Sequence, residues 1–306
     1  MDEIEKKMKI GILGPGAVGG FLASLFWKSG ERVLCIGKAG DVSAIKERGI
    51  TIESPIFGDF VARPEIDTEL RVPIDILFIT VKSSFLKEAL RAVNKESIKS
   101  AVIIPLLNGI GHAEIIREIL GTSVAAGTIG QIEVVKDLNG SVRQVSRQHP
   151  HIDIASDGDV SSSRLEEIVD AIRRAGVSAS ILRSEAEVIW KKLVRLNATA
   201  SLTAAFQKPI GVIRSDPDLR RLLEGIVREG VAIAGREGTE IDSEETMEEI
   251  DRLPETLMTS LSRDVAARVP SEIDSITGGV LKKANFYGIP VPFLEGAYKR
   301  IQKRIS

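Results

Sequence analysis

Two rhythms of apolar and polar positions divide this chain. In the first half, short apolar runs alternate with stretches of helical spacing, the pattern of successive strand–helix–strand units in a parallel sheet. Residues 9–13 (KIGIL) read as a first strand, 17–28 as the helix after it and 32–36 as a second strand. The run 75–81 (DILFITV) is apolar on both faces, as a strand covered on both sides has to be. Residues 85–93 are expected to be helical, 102–106 a strand, 112–120 a helix and 123–128 a further strand. Between 132 and 155 the pair Asn139-Gly140 is a hairpin signal, because both residues tolerate the positive φ of a tight turn. An antiparallel excursion is expected there.

From Ser184 onward apolar positions recur at helical spacing, predicting helices at 185–205, 219–234, 244–268 and 271–286. Asp216-Pro217 is a start signal: the carboxylate can accept from the first free N–H groups, and proline has no N–H to leave unpaired. Gly288-Ile289-Pro290 is the corresponding stop. The boundary is placed so that 1–183 and 184–306 form two domains. No internal repeat or low-complexity tract interrupts either.

Gly14-Pro15-Gly16-Ala17-Val18-Gly19 lies between the first predicted strand and its helix. A G-x-G-x-x-G turn in that context points to a dinucleotide. Gly14 permits the tight turn, Gly16 lets the backbone approach a pyrophosphate, and Gly19 lets the helix pack close to the strand. The helix start, with Ala17 and Val18, presents free N–H groups and a positive dipole end to phosphate. The expected fold is therefore α/β: an N-terminal Rossmann-type doubly wound parallel sheet with a C-terminal all-helical domain. An acid at the end of the second strand would bind a ribose 2′-OH and repel a 2′-phosphate. The strand instead ends Cys35-Ile36-Gly37-Lys38, and Lys38 can neutralise a phosphate, which favours NADPH; Asp41, close by, carries the opposite sign.

Composition narrows the remaining classes. A formal net charge of −2 over 306 residues leaves no basic field for a nucleic acid. One cysteine, Cys35, excludes an internal disulfide framework and a cysteine-rich zinc site, and its predicted strand makes it a core residue. His149-Pro150-His151 has only His112 elsewhere to join it, so no metal site is expected. The first nine residues are charged and polar, unlike a signal peptide, and apolar runs such as 101–107 fall far short of the ~20 residues that span a bilayer. A cytoplasmic enzyme without membrane or nucleic-acid partners is expected, with a homodimer left open.

Further pieces occur in order: Val81-Lys82, Asn108-Gly109-Ile110-Gly111, Trp190-Lys191-Lys192-Leu193, Leu202-Thr203-Ala204, Ser260, Glu272-Ile273-Asp274 and Gly288-Ile289-Pro290-Val291-Pro292. In this order and spacing the chain resembles the ketopantoate reductase (2-dehydropantoate 2-reductase) family. The resemblance implies NADPH-dependent reduction of the 2-ketone of 2-dehydropantoate, on the route to pantothenate and coenzyme A. It makes Lys192 the catalytic lysine, Glu272 and Ser260 substrate-binding residues, and Asn108 an amide near both nicotinamide and substrate. It also makes Lys82 a cofactor contact and puts Lys38 at the 2′-phosphate. The chemistry suits these residue types. Hydride arriving at a ketone carbon leaves charge on the oxygen, and a lysine ammonium can both stabilise and protonate it. Burial among Trp190, Leu193, Val194 and Leu196 would depress the pKa of Lys192, and Glu272 would oppose that shift.

The chain also departs from the family. Asparagines usual four and eight positions after the lysine are Leu196 and Ala200 here, and Val212 follows Gly211 where the family often has glutamate. Asn197, a candidate substrate ligand, is one step further along the helix and so rotated by ~100°. These departures keep open a sister reductase of another small 2-oxo acid or an imine; a catalytically silent NADPH-binding regulator is a separate alternative.

Overall fold

Ile10, Ile12 and Leu13 are all buried, so the strand they form, β1 (Lys9–Leu13), sits at the centre of a sheet covered on both faces. It belongs to a computed structural model of the chain that describes residues 7–137 and 139–305. The chain forms two compact units. One takes in residues 7–81, Phe85–Leu107 and His112–Glu185; the other takes in Lys82–Ser84, Asn108–Gly111 and 186–305.

In the first unit β1 is followed by α1 (Ala17–Lys28), β2 (Arg32–Ile36), α2 (Ala39–Arg48), β3 (Ile50–Glu53), β4 (Phe60–Ala62), β5 (Glu65–Asp67) and β6 (Ile76–Ile79). After them come a short α3 (Leu86–Ala89), β7 (Val102–Pro105), α4 (His112–Leu120), β8 (Ala126–Gly130), β9 (Val134–Lys136), β10 (Val142–Gln144), β11 (His151–Ala155), α5 (Ser162–Arg174) and β12 (Ser178–Ile181). Five strands make one parallel sheet in the order β5-β2-β1-β6-β7. Its two faces are apolar in alternation. Ile10, Ile12 and Phe78 pack with Phe21, Leu22 and Phe26 of α1, where the Phe26 and Phe78 rings stack at 5.4 Å. Leu13, Leu77, Ile79 and Ile103 pack with Leu86, Leu90, Ile116 and Leu120 on the other face. The strand order reverses beside β1, and the glycine turn leaves the carboxyl end of β1 at that reversal, where open α/β sheets bind ligands.

The remaining strands form two smaller sheets, β4-β3-β10-β9 and β12-β11-β8. The expected antiparallel excursion is the β9–β10 pair, but its loop spans 137–141 and not two residues. The Asp137 carboxylate accepts from Asn139 N–H and Ser141 N–H and so closes a longer turn. The strand expected at 123–128 serves two sheets. Ser123 and Ala125 bond to Ile103 of β7, and then β8 swings away to pair antiparallel with β11. Residues 85–93 do not form one regular helix. The backbone of Ala92 and Asn94 is recruited by Leu70, which ends the helical turn early.

The second unit is all-helical: α6 (Glu185–Phe206), α7 (Ile210–Ser215), α8 (Pro217–Arg236), α9 (Ser243–Asp251), α10 (Ser260–Ala267), α11 (Thr277–Tyr287) and α12 (Pro292–Ile305). Asp216 caps α8 as expected, accepting from Asp218 N–H and Leu219 N–H. The predicted helix 244–268 is broken in two: Pro254 cannot donate to a continuing ladder, and Thr259 caps a new start. The helix expected from 271 begins six residues later, because the Glu272 carbonyl accepts from Ser275 and Ile276 N–H in a tight turn ahead of it. Gly288, at φ +66°, ends α11. The helix α12 was not anticipated; its free N–H groups at Phe293 and Leu294 are capped by the buried Glu229 carboxylate of α8.

Candidate active site

The first unit contributes a surface made of backbone. Gly14 adopts φ +95° and donates its N–H to the Ile36 carbonyl, and a Cβ there would lie 2.5 Å from Val81 Cγ1. A Cβ on Gly19 would lie 2.2 Å from the Gly14 carbonyl oxygen and 2.3 Å from Thr80 Oγ1, which itself donates to that oxygen. Both glycines are needed for the turn to close at all. Gly16 is different: it is exposed, and a Cβ there would meet no heavy atom within 4 Å. No side chain caps α1 and no acid stands in its first turn, so the positive helix end is left for an external anion. These features fit a dinucleotide pyrophosphate.

Around this turn, Lys38 is the N-cap residue of α2 and holds its ammonium 4.8 Å from the Phe85 ring centre. Lys136, which no sequence motif marks, donates to the Pro15 carbonyl at 3.3 Å and pairs with Asp41 at 3.1 Å. It arrives from β9, far along the chain, so only tertiary structure reveals it.

The second unit contributes a cluster of side chains. Lys192, half-buried on α6, donates from Nζ to Asn108 Oδ1 at 2.8 Å. Asn108 Nδ2 in turn donates to Glu272 Oε2 at 3.2 Å, and Glu272 Oε1 accepts from Ser83 N–H at 3.3 Å. Only this amide orientation gives both neighbours of Asn108 a matching partner. The Ser83 and Ser275 hydroxyls lie 2.9 Å apart, and Ser275 Oγ also donates to the Asn108 carbonyl. Gly109 brings the 108–111 segment down onto this turn. Its φ is +101° and a Cβ would sit 2.4 Å from the Ser275 carbonyl oxygen, while Ile110 N–H donates to that same oxygen.

Burial pushes the Lys192 ammonium down from 10.5 to about 8; the neighbouring Arg195 adds to that shift and the Glu272 carboxylate opposes it. An ordinary surface lysine stays charged well past that pH.

The structure brings Lys192, Asn108 and Glu272 together and adds Ser83, Ser275 and Arg195, which sequence reasoning did not name. Other candidates stand apart from this cluster. Asn197 is 1% exposed and accepts from Ser201 Oγ, which pairs with Thr277, so its amide is used inside the helical core. Ser260 is exposed at the first position of α10, where the capping side chain is that of Thr259. Lys82 is paired with Asp264 at 2.9 Å and donates to the Pro270 carbonyl. A cleft of about 550 Å³ lined by Leu281, Asn285, Ile289 and Tyr298 includes none of these residues. Among the described residues no group of three or more His, Cys, Asp or Glu side chains could hold a metal ion, and no helix is long and apolar enough to cross a membrane.

Comparison with known proteins bears on both halves of the chain. A 2-dehydropantoate 2-reductase from Pyrococcus horikoshii is 27% identical over 93% of this chain and 93% of its own. Among solved structures, 2-dehydropantoate 2-reductase from Geobacter metallireducens matches with a TM-score of 0.85 at 25% identity, covering 97% of this chain and 99% of that one. D-mandelate dehydrogenase, solved with NADH and anilino(oxo)acetate, matches with a TM-score of 0.87 at 22% identity over 97% of this chain and 98% of that one. The family model described as Ketopantoate reductase PanE/ApbA matches residues 10–156, and its C-terminal counterpart matches 186–304. With both models satisfied in order along most of its length, the chain belongs to the ketopantoate reductase family of oxidoreductases.

Proposed function

We propose that the protein reduces the ketone of a small 2-oxo acid to the 2-hydroxy acid, with 2-dehydropantoate as substrate, NADPH as cofactor and Lys192 as general acid. One observation carries the reading: a half-buried lysine, its pKa lowered to about 8, is aimed by Asn108, which is itself oriented by Glu272. NADPH would be held by residues 14–19 and Lys38, and when bound it supplies the hydride.

The chain's own residues supply the rest. As the ketone oxygen gains charge, the Lys192 ammonium stabilises it and passes a proton from Nζ to that oxygen. A pKa of about 8 keeps most of the group protonated at neutral pH, yet makes it a far stronger acid than a solvated lysine. Asn108 Oδ1 fixes the direction of the ammonium. Glu272 holds the Asn108 amide and would accept a substrate hydroxyl. The name of the Pyrococcus horikoshii relative supports the choice of substrate.

A second reading has its own observation. Leu196 lies one helical turn beyond Lys192, on its side of α6, and cannot bond a substrate hydroxyl, while Ala200 a turn further on is buried in the helical core. A 2-oxo acid with an apolar side chain suits that face, and the mandelate dehydrogenase neighbour was solved with such a ligand, anilino(oxo)acetate. NADPH consumption with 2-dehydropantoate, set beside a panel of aliphatic and aryl 2-oxo acids and repeated with NADH, separates the two. The first reading expects the highest kcat/KM with 2-dehydropantoate; a tenfold preference for an apolar acid replaces it with the second. Cofactor binding without turnover on any acid would leave only a regulator.

A further inference from the structure

Lys136 reaches the glycine turn from a different sheet. Its side chain is 30% exposed and held at two points, by the Pro15 carbonyl within the turn and by the Asp41 carboxylate in the first turn of α2. Asp41 stands where nucleotide choice is made. In folds of this class the group facing the ribose 2′ position sits at the end of the second strand, which here is Gly37-Lys38. A Cβ on Gly37 would touch both Asp41 Cβ and Pro15 Cγ at 3.1 Å, so Asp41 packs directly against that strand end. Left alone, its carboxylate would accept a 2′-hydroxyl and repel a 2′-phosphate. Paired with Lys136, it leaves two ammonium groups, Lys38 and Lys136, against one carboxylate.

We infer that the Lys136–Asp41 ion pair beside the glycine turn sets the choice between 2′-phosphorylated and unphosphorylated dinucleotides, with Lys136 the residue that makes the phosphate acceptable. The inference rests on the reading that residues 14–19 hold a dinucleotide. It assigns a specificity role to a residue outside the turn and outside the second strand. It also reverses the simple reading of Asp41, whose charge counts against NADPH only when Lys136 is removed.

The test is fluorescence titration of the full-length protein with NADPH and with NADH, without substrate, for wild type, Lys136→Ala, Asp41→Asn and the double variant. Circular dichroism confirms that each is folded. Wild type should prefer NADPH. Lys136→Ala should lower that preference about tenfold, mainly by weakening NADPH, since two like charges then face each other at close range. Asp41→Asn should raise the preference, and the double variant should return near the wild-type ratio. These differences should shrink in 0.5 M salt, where screening acts over a few ångströms. If Lys136→Ala and Asp41→Asn weaken both nucleotides equally, the pair only braces the turn and the inference fails. If wild type binds neither nucleotide, the dinucleotide reading itself falls; if it prefers NADH, the inference alone does.

Discussion

The glycine turn and the lysine cluster are built on opposite principles. The turn works by what it lacks: Gly14 and Gly19 have no side chain because the backbone needs the room, and Gly16 has none in order to leave space outside. The cluster works by what it brings together, with Ser83, Asn108, Lys192, Glu272 and Ser275 drawn from four stretches of sequence. A site made of backbone tolerates almost no change of shape, whereas a site made of side chains is tuned through charge. Substitutions in the two should therefore fail in different ways.

The largest effect is expected at Lys192. Lys192→Ala should lower kcat by roughly three orders of magnitude, the combined worth of a positioned acid and a charge at the developing alkoxide. Dinucleotide affinity, measured by titration, should stay within about twofold, because nothing in the turn changes. A residual rate within a few-fold of wild type would remove the lysine from the chemistry.

Next come the glycines, where shape and binding can be separated. Gly19→Ala drives a methyl group into the Gly14 carbonyl and Thr80, and should cost about 3 kcal/mol or prevent folding, read by urea denaturation. Gly16→Ala meets nothing and should leave stability within about 0.5 kcal/mol. It should still weaken dinucleotide binding at least about tenfold, since the added methyl takes up the space a pyrophosphate needs. Equal loss of stability in both variants would show that the open space at Gly16 has no role.

The smallest effect is a shift in pH dependence. In the proposed mechanism the acid is the protonated Lys192 ammonium, so kcat should fall as pH rises through about 8, where that group loses its proton. Glu272→Gln removes the charge that favours the ammonium and should move that limb to lower pH. Arg195→Met removes a repelling charge and should move it to higher pH. Turn variants should leave the limb where it is. Movement of the limb in the same direction for both charge variants would show that something other than Lys192 is titrating.

The same contrast explains how much was legible in the sequence. β1, α1, β2 and α4 lie where apolar periodicity placed them, because local pattern and tertiary role agree there. The turn was legible for the same reason: its determinants are contiguous. What local pattern missed was decided by distant partners. Leu70 claims the backbone that would have continued a helix through Val93, and β7 and β11 divide the 123–130 segment between two sheets. Asn197 looked available because it is polar and close to Lys192 in sequence, yet the helix turns it into the core toward Ser201. Ser83, Ser275 and Lys136 belong to no motif. Only folding sets them beside residues that do.

The helical unit is not a continuous piece of chain, since it includes Lys82–Ser84 and Asn108–Gly111 from within the sequence of the other unit. A fragment cut at residue 186 would carry Lys192 and Glu272, but it would lack the amide that aims the ammonium and the backbone N–H that steadies the carboxylate. Truncation, domain grafting or recombination at the apparent boundary would therefore part Lys192 and Glu272 from the groups they bond, and any transplant of this cluster has to carry two short loops along with the helices.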